Sequence, residues 1–352
     1  MRIAVVGSGP SAFYTVKYFL RSFKDTSVRI DMFERLPEPF GLVRFGVAPD
    51  HPEVKNVKND FLDLMKNYST RFSLHCGVHV PSSPEDFLKF RNDYDGVLIA
   101  TGAQGSKLAS LSTQSTHVSG RDFVLWYNGH PDKRNLPLPN IPPSRVSIFG
   151  MGNVALDVAR MLSKRPEDLQ PLLEYGLSPD ALSWLTRRQE SKTDQRVVEV
   201  QGRRGYLEAS FTNKEFRELL NIPGCITVVD PAEVNIADLE IATRNDRAKS
   251  RGLEILQEMT KNFEKQDSQN ILRLRFNCPP SPAELAISAI GFEVEPAFGL
   301  EICNGGLRHN GRGLAGEGLF LAGWAKRGPR GTIAANIPCA AETAKMMVEF
   351  YS

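Results

Sequence analysis

The chain has 352 residues, of which 41% are hydrophobic, so we expect two domains with buried cores rather than one. Its 43 basic and 41 acidic residues give a formal net charge of +2, which provides no whole-molecule argument for nucleic-acid binding. No apolar run approaches the roughly 18 residues of a membrane-spanning helix, so no membrane span is expected.

The five cysteines are scattered and include no Cys-x-x-Cys pair. An odd, dispersed set favours a reducing compartment and buried thiols over a disulfide framework. The redox-active dithiol of the disulfide reductases is therefore missing. The first predicted strand begins at Arg2, which leaves no visible presequence.

The first part of the chain alternates apolar strands with helical patterns. A strand predicted over 2–6 ends in Gly7-Ser8-Gly9-Pro10-Ser11-Ala12, and apolar residues at helical spacing follow it up to residue 23. A second strand is predicted over 28–33 and is closed by Glu34. The segment 36–52 is rich in proline and glycine and is interpreted as a loop. Helices over 53–67 and 84–91 precede a buried-type strand at 95–101.

A second strand–glycine–helix unit begins with a strand over 144–149, which leads into Gly150-Met151-Gly152-Asn153-Val154-Ala155 and a helix to about residue 163. A charged stretch at 187–195 then precedes a strand over 196–200 that ends in Gly202-Arg203-Arg204-Gly205. The remaining predicted elements are helices at 213–220 and 251–265, strands at 285–290 and 319–322, and a final helix at 333–350. This alternation of strands and helices predicts an α/β fold with parallel sheets.

Both glycine loops directly follow an apolar strand and open a helix, which is the context of a dinucleotide-binding turn. The first glycine of each loop, Gly7 or Gly150, makes the tight turn. The second, Gly9 or Gly152, leaves room for a pyrophosphate against the N–H groups of the helix N-terminus. The alternative for each loop is an ordinary strand-to-helix turn that binds nothing.

The residues that close the two loops carry opposite charges. A carboxylate at Glu34 accepts hydrogen bonds from a ribose 2′-hydroxyl and repels a 2′-phosphate, which indicates the adenosine of FAD or NAD. Guanidinium groups at Arg203 and Arg204 favour a 2′-phosphate and therefore NADPH over NADH. A solvated basic turn is the alternative for the arginine pair. The contrast predicts FAD and NADPH on one chain, with hydride exchange between them.

Several longer segments resemble the adrenodoxin reductase type of ferredoxin–NADP reductase. They are GSGP at 7–10, PFGLVRFGVAPDHP at 39–52, GNVALDVAR at 152–160, GRRG at 202–205, FTNKE at 211–215 and GWAKRGP at 323–329. The resemblance implies two Rossmann-like dinucleotide-binding domains of the two-dinucleotide-binding flavoprotein type. It implies a discontinuous FAD domain, 1–102 plus 291–352, and an NADP domain, 103–290.

The same resemblance assigns site residues. For FAD it implies Gly7, Gly9, Ser11, Glu34, Leu42, Val80, Trp324, Gly331, Thr332 and Ile333. For NADPH it implies Gly150, Met151, Gly152, Asn153, Val154, Arg203, Arg204, Glu215 and Gly331. His51 and Asp157 match family positions close to the flavin and the nicotinamide, so they are the predicted catalytic residues. No metal site is predicted.

Without a redox-active cysteine pair, the reduced flavin has no internal dithiol that could accept its electrons. Reduced flavin can release electrons singly, so a ferredoxin or adrenodoxin-type [2Fe–2S] protein is the expected partner. Such proteins are usually acidic, and the chain offers Arg244, Arg247, Lys249 and Arg251. In the resembling family this segment docks the ferredoxin, and a solvated charged face is the alternative.

Three further interpretations stay open. One is an NADPH-dependent flavoprotein with a small-molecule acceptor. Another is a degenerate, non-catalytic FAD-binding protein, because the segment around 275–284 is shorter than in typical family members and Met151, Tyr206 and Arg330 are unusual at their motif positions. The last concerns location: the resemblance implies a mitochondrion or a reduced mitochondrial organelle, or the cytoplasm if the chain is bacterial.

Overall fold

The computed structural model describes residues 1–111, 116–190, 195–265 and 268–352. The chain divides into two compact units. Unit 1 comprises Met1–Val47, His51–Ser106 and Gly291–Ser352, and unit 2 comprises Ala48–Asp50 and Lys107–Ile290. Unit 1 is therefore discontinuous in sequence, since the chain leaves it at Ser106 and returns at Gly291.

The described residues form sixteen strands. In chain order they are β1 (Arg2–Val6), β2 (Arg29–Glu34), β3 (Phe72–Cys76), β4 (Gly96–Ile99), β5 (Gly105–Ser106), β6 (Thr116–Ser119), β7 (Arg145–Phe149), β8 (Arg196–Gln201), β9 (Ile226–Val229), β10 (Asn270–Arg275), β11 (Leu285–Ser288), β12 (Phe292–Glu293), β13 (Ile302–Cys303), β14 (Gly306–Leu307), β15 (Leu314–Gly316) and β16 (Leu319–Leu321).

The described residues also form fourteen α-helices. They are α1 (Pro10–Ser22), α2 (Leu42–Phe45), α3 (Pro52–Lys55), α4 (Val57–Asn67), α5 (Pro84–Arg91), α6 (Gly120–Tyr127), α7 (Asn153–Ser163), α8 (Pro166–Leu169), α9 (Pro179–Glu190), α10 (Asn213–Glu218), α11 (Ile236–Thr243), α12 (Arg247–Lys261), α13 (Trp324–Arg327) and α14 (Asn336–Tyr351). None of these helices is both long and apolar enough to cross a bilayer.

Unit 1 is built around a six-stranded sheet with the strand order β15-β16-β4-β1-β2-β3. The strands from β16 to β3 are parallel, and β15 runs antiparallel to β16. Ile3, Ala4 and Val5 of β1 are fully buried, as expected for a central parallel strand covered on both faces. Helices α1 and α14 pack against each other and share a hydrophobic core with β1 and β2.

Unit 2 is built around a second six-stranded sheet, with the order β6-β11-β7-β8-β10-β9 and every pairing parallel. Its hydrophobic core joins this sheet to α6, α7, α9 and α12. Two of these helices have clear start signals. The Ser119 hydroxyl accepts from Asp122 N at 2.9 Å at the start of α6, and the Asp246 carboxylate accepts from Ala248 N and Lys249 N at 3.0 Å at the start of α12.

The predicted α/β class with parallel sheets is confirmed. The segment 36–52, predicted as a loop, contains the short helix α2. The other elements that sequence patterns did not predict are α6, α8, α9, α11, α13, β3, β5, β6, β9, β10 and β12 to β15. Helix α12 starts at Arg247 rather than at residue 251 because Asp246 caps it. The charged stretch at 187–195 begins inside α9, where Arg188 is fully buried and donates to Leu162 O and Ser144 O at 2.9 and 3.1 Å. Residues 191–194 of that stretch lie outside the described residues.

Candidate functional site

The first glycine loop joins β1 to α1 in unit 1. Gly7 has φ 98°, and a Cβ there would lie 2.7 Å from Ala100 O, so a side chain would be strained and would also clash. A Cβ at Gly9 would meet nothing within 4 Å, which leaves open space over the loop. Helix α1 begins with Pro10, which has no N–H, and the N–H groups of Ala12 and Phe13 donate to Gly9 O at 3.1 and 3.3 Å. The Ser11 N–H and the positive end of the helix dipole can therefore take an anion.

Glu34 at the end of β2 is held in place by three hydrogen bonds. Its side chain is buried, with the residue 8% exposed. Oε2 accepts from Ser8 Oγ at 2.6 Å and from Ser8 N at 3.2 Å, and Oε1 accepts from Leu36 N at 3.0 Å. Burial raises the pKa of the neighbouring Cys76 thiol, and the Glu34 charge raises it further. The carboxylate is thus a fixed acceptor beside the glycine loop.

The other residues predicted to hold FAD also lie in unit 1. They are Ser11, Leu42, Val80, Trp324, Gly331, Thr332 and Ile333. A Cβ at Gly323 would lie 2.2 Å from Ser11 Oγ, so only glycine fits there. The Trp324 ring packs 5.1 Å from the Phe292 ring, and Trp324 Nε1 is buried without a hydrogen-bond partner among the described residues.

Three features of unit 1 fit an FAD molecule. They are the open space at Gly9, the fixed carboxylate of Glu34 and the unpartnered N–H of Trp324. A bound group can supply the acceptor that a buried indole N–H lacks. The predicted catalytic residue His51 also belongs to unit 1, where it is buried at the start of α3.

The second glycine loop joins β7 to α7 in unit 2. Gly150 has φ 128°, and a Cβ there would lie 2.2 Å from the carbonyl oxygen of Ala289, the residue after β11, so a side chain at this position would clash with that backbone. No side chain caps α7 at Gly152. Met151 O accepts from Ser210 N at 2.9 Å, and Asn153 Oδ1 accepts from Thr212 N at 2.8 Å. Val154 packs partly buried against the core of unit 2.

Arg203 and Arg204 follow β8 and are exposed. Neither guanidinium has a hydrogen bond or an ion pair with any residue in the described part of the chain. Both line a cavity of about 410 Å³. The other residues lining it are Gly205, Tyr206, Leu207, Glu208, Glu233, Val234, Asn235, Asp238, Leu239 and Asn277. Two unpaired cations beside a partly apolar cavity fit a phosphorylated adenosine.

Four carboxylates of unit 2 surround Arg160 of α7, which is only 3% exposed. Arg160 Nε donates to Asp50 at 2.7 Å and Nη2 donates to Asp157 at 2.7 Å. Nη1 lies 3.0 Å from Glu215 and 3.2 Å from Glu218. Burial lowers the pKa of Arg160, but its bonds and charges with the acids outweigh that effect and raise the pKa above its ordinary value.

Arg160 brings together Asp157 and Glu215, which were predicted as site residues, with Asp50 and Glu218, which were not. The sequence held one signal for this cluster. An arginine three residues after Asp157 stands on the helix face that is otherwise apolar, and a buried arginine needs acidic partners. Nothing in the sequence identified which acids those would be.

The basic residues predicted to dock a partner fall into two classes. Arg244, Arg247 and Arg251 are exposed and have no hydrogen-bond or ion-pair partner in the described ranges. Lys249 is half-buried, its Nζ donates to Ala209 O at 3.2 Å, and it lies 5.6 Å from the centre of the Tyr206 ring. Lys249 is therefore engaged within unit 2, while the three arginines are available at the surface.

No family model matches the chain. It is 32% identical over 399 residues to the mitochondrial NADPH:adrenodoxin oxidoreductase of Salvelinus fontinalis, and the match covers 99% of this chain and 77% of that relative. It is 31% identical over 398 residues to the NADPH-ferredoxin reductase FprA of Mycobacterium tuberculosis, covering 99% and 83%. The solved structure of M. tuberculosis FprA in complex with NADPH matches with a TM-score of 0.87 at 29% identity, covering 99% of this chain and 84% of that chain.

Proposed function

The chain belongs to the family of NADPH:adrenodoxin oxidoreductases and NADPH-ferredoxin reductases, and we propose that it takes a hydride from NADPH onto FAD and passes single electrons to a ferredoxin. The observation that carries this proposal is the contrast between a fixed carboxylate at one glycine loop and, at the other, two guanidiniums that have no partner among the described residues. FAD supplies the exchange between a two-electron donor and a one-electron acceptor.

We propose that unit 1 holds FAD. Glu34 accepts from the ribose of the adenosine half, and the N-terminus of α1 faces the pyrophosphate over Gly9. Trp324 offers its N–H to the bound group. Ser11, Leu42, Val80 and the turn 331–333 complete the proposed lining.

We propose that unit 2 holds NADPH. Arg203 and Arg204 clamp the 2′-phosphate, and the apolar side of the adjoining cavity, which includes Leu207, Val234 and Leu239, receives the adenosine. The loop from Gly150 to Val154 faces the pyrophosphate. Glu215 and Gly331 are included among the proposed NADPH-binding residues because the family resemblance assigns them there.

His51 and Asp157 are the proposed residues beside the reacting rings. Arg160 orients the Asp157 carboxylate through a 2.7 Å bond, and a histidine can hold or move a proton near neutral pH. Stopped-flow measurement of flavin reduction in H51Q and D157N proteins tests this assignment. Rates equal to the wild type in both variants would remove it.

We propose that the acceptor is an acidic ferredoxin-type iron–sulfur protein that docks on Arg244, Arg247 and Arg251. The support is their exposure and their lack of partners in the described residues, which leaves their charge free to attract acids. Lys249 is left out because its ammonium already binds Ala209 O. The compartment in the proposal is a mitochondrion or a bacterial cytoplasm, since the relatives include a mitochondrial enzyme and a mycobacterial one.

Anaerobic titration of the purified protein tests the function. The flavin absorption band should bleach with NADPH and respond poorly to NADH, and an added ferredoxin should then be reduced. A colourless protein that takes up no added FAD would refute the proposal. Bleaching by NADPH without ferredoxin reduction would instead favour a small-molecule acceptor.

The docking assignment has a separate test. Replacing Arg247 and Arg251 together by glutamate should raise the apparent KM for ferredoxin, and the difference from the wild type should shrink as salt rises. NADPH oxidation with ferricyanide serves as the control and should change little. Unchanged ferredoxin kinetics in the double variant would remove these arginines from the docking surface.

A further inference from the structure

Helix α11 carries apolar residues on two opposite sides. Leu239 and Ile236 pack partly buried against the core of unit 2, and Thr243 on the same side is 1% exposed. On the opposite side Ile241 is 76% exposed, with the exposed Ala237 beside it. The other exposed side chains of α11 include Asp238 and Glu240, so Ile241 is a single large apolar side chain set among polar ones. A partner that covered it would remove its exposed apolar surface from water.

Arg244, Arg247 and Arg251, which have no side-chain partner among the described residues, lie on α12 and at the end of α11. Arg244 caps the C-terminus of α11 three residues after Ile241, and its N–H donates to Ile241 O at 3.4 Å. Helices α11 and α12 form a hairpin that is joined near the turn by a 2.9 Å bond from Ser250 Oγ to Thr243 O and further along by a 2.8 Å bond from Gln257 to Glu240. Arg247 begins α12, so the basic side chains and the apolar face belong to one local structure.

The arginines of α12 stand at an unfavourable place for their charge. Arg247 occupies the first turn and Arg251 the next, at the positive end of the helix dipole, and the first turn contains no acid. The positive end of a helix dipole disfavours a cation. Asp246 uses its carboxylate on backbone N–H groups. The exposed charges of this hairpin include the three arginines together with Asp238 and Glu240 of α11.

We propose that the solvent face of α11, centred on Ile241, is the apolar centre of the docking surface, and that Arg244, Arg247 and Arg251 form its basic rim. An apolar centre within a charged rim is the usual anatomy of a protein interface. The inference rests on the proposed function, and its occupant is the acidic iron–sulfur protein. A second copy of this chain fits poorly, because a two-fold contact centred on Ile241 would bring the arginines of both copies together.

The test compares two exposed isoleucines of unit 2. Ile241→Ser removes the proposed centre, and Ile141→Ser is the matched control because Ile141 is 84% exposed in the segment before β7. With an adrenodoxin-type [2Fe–2S] ferredoxin as acceptor, I241S should lower kcat/KM about tenfold, the effect of a central interface side chain. I141S and the conservative I241L should match the wild type, and all three should reduce ferricyanide normally.

Ionic strength distinguishes the apolar contribution of Ile241 from the electrostatic contribution of the arginines. The loss in I241S should be the same at low and high ionic strength, because burial of an apolar side chain does not depend on screening. The loss caused by glutamates at Arg247 and Arg251 should diminish as salt rises. Wild-type ferredoxin kinetics in I241S, with the glutamate variant impaired, would overturn the apolar centre and leave the proposed function standing.

Two other outcomes are also decisive. Sedimentation that detects a wild-type dimer which I241S abolishes would assign the face to a second copy and overturn the inference. A wild-type protein that is reduced by NADPH but transfers nothing to any ferredoxin would reject the proposed function itself. Because Ile241 is on the surface, I241S should unfold at the wild-type temperature, which separates a docking defect from a folding defect.

Discussion

The two glycine loops have similar backbones and differ in the charged side chains that stand at the end of the next strand. Glu34 is buried and already holds three hydrogen bonds, whereas Arg203 and Arg204 are exposed and have no partner among the described residues. A group fixed before binding loses little entropy when its ligand arrives, while two long side chains must be ordered at that moment. In our proposal this difference suits FAD as a resident group and NADPH as a substrate that exchanges.

The helices that follow the two glycine loops also differ in the polar groups that they bury. The buried polar groups at the start of α1 are neutral, as in the Thr15 hydroxyl that donates to Ser11 O at 2.7 Å. Helix α7 instead buries Arg160 among four acids. Among the described residues, helix α7 therefore buries a cluster of ion pairs, whereas the polar groups that α1 buries are uncharged.

The largest expected effect is on stability. Arg160→Met removes the cation that pairs with four carboxylates, of which Asp50 keeps Lys164 at 3.2 Å, and should reduce the free energy of unfolding by about 3–5 kcal/mol. Thr15→Val on α1 is the matched change behind the first loop and should cost only about 1 kcal/mol. Urea unfolding of the two variants measures both values. Equal losses would show that the two helices do not differ as described.

The next effect concerns nucleotide choice. Alanine at both Arg203 and Arg204 removes charge-assisted bonds worth about 1.5 kcal/mol each, so the KM for NADPH should rise on the order of 100-fold. The KM for NADH, which has no 2′-phosphate, should stay the same. Arg187→Ala, at an exposed arginine of α9, is the control and should change neither value. A parallel rise for both nucleotides would contradict the phosphate clamp.

A smaller effect is expected at the first loop. Glu34→Gln keeps the shape but turns one acceptor into a donor that faces the N–H of Ser8 or Leu36. Rebinding of FAD to the apoprotein should weaken about tenfold, the effect of roughly 1.4 kcal/mol. Asp31→Asn on the same strand, whose acid pairs with Arg2 at 2.9 Å, should leave FAD affinity unchanged. Flavin fluorescence titration decides, and equal affinities for E34Q and wild type would reject the role of Glu34.

The smallest effect is on the reactivity of two cysteine thiols, one beside Glu34 and the other beside the segment that carries Arg203 and Arg204. Cys76 pairs with Glu34 across β2 and β3, and Cys278 N donates to Gly202 O. Burial raises both thiol pKa values, so both thiols carry less thiolate at a given pH and should be alkylated only at raised pH. Glu34→Gln should lower the pKa of Cys76 and leave that of Cys278 alone. Mass spectrometry of iodoacetamide-treated protein over a range of pH measures these thiol pKa values. An unchanged Cys76 pKa in the E34Q protein would contradict the prediction.

Local signals in the sequence predicted the strands, glycine loops and helices that carry the two candidate sites. Glycine spacing and strand-to-helix order act over a few residues, so they can be read directly. The Arg160 cluster could not be predicted, because its bond to Asp50 joins positions 110 residues apart. The engagement of Lys249 escaped prediction for a similar reason. Its partners follow from how α12 packs on the segment around Tyr206, which no charge pattern encodes.

The discontinuity of unit 1 has a consequence for biosynthesis. Every residue of unit 2 has been translated once the ribosome passes Ile290, whereas unit 1 still lacks β16 and α14. Strand β16 pairs with β4, and α14 packs on α1, so the nascent first unit keeps an open sheet edge and an uncovered helix until β16 and α14 have been translated. Loading of the flavin proposed for that unit would then come after the synthesis of unit 2.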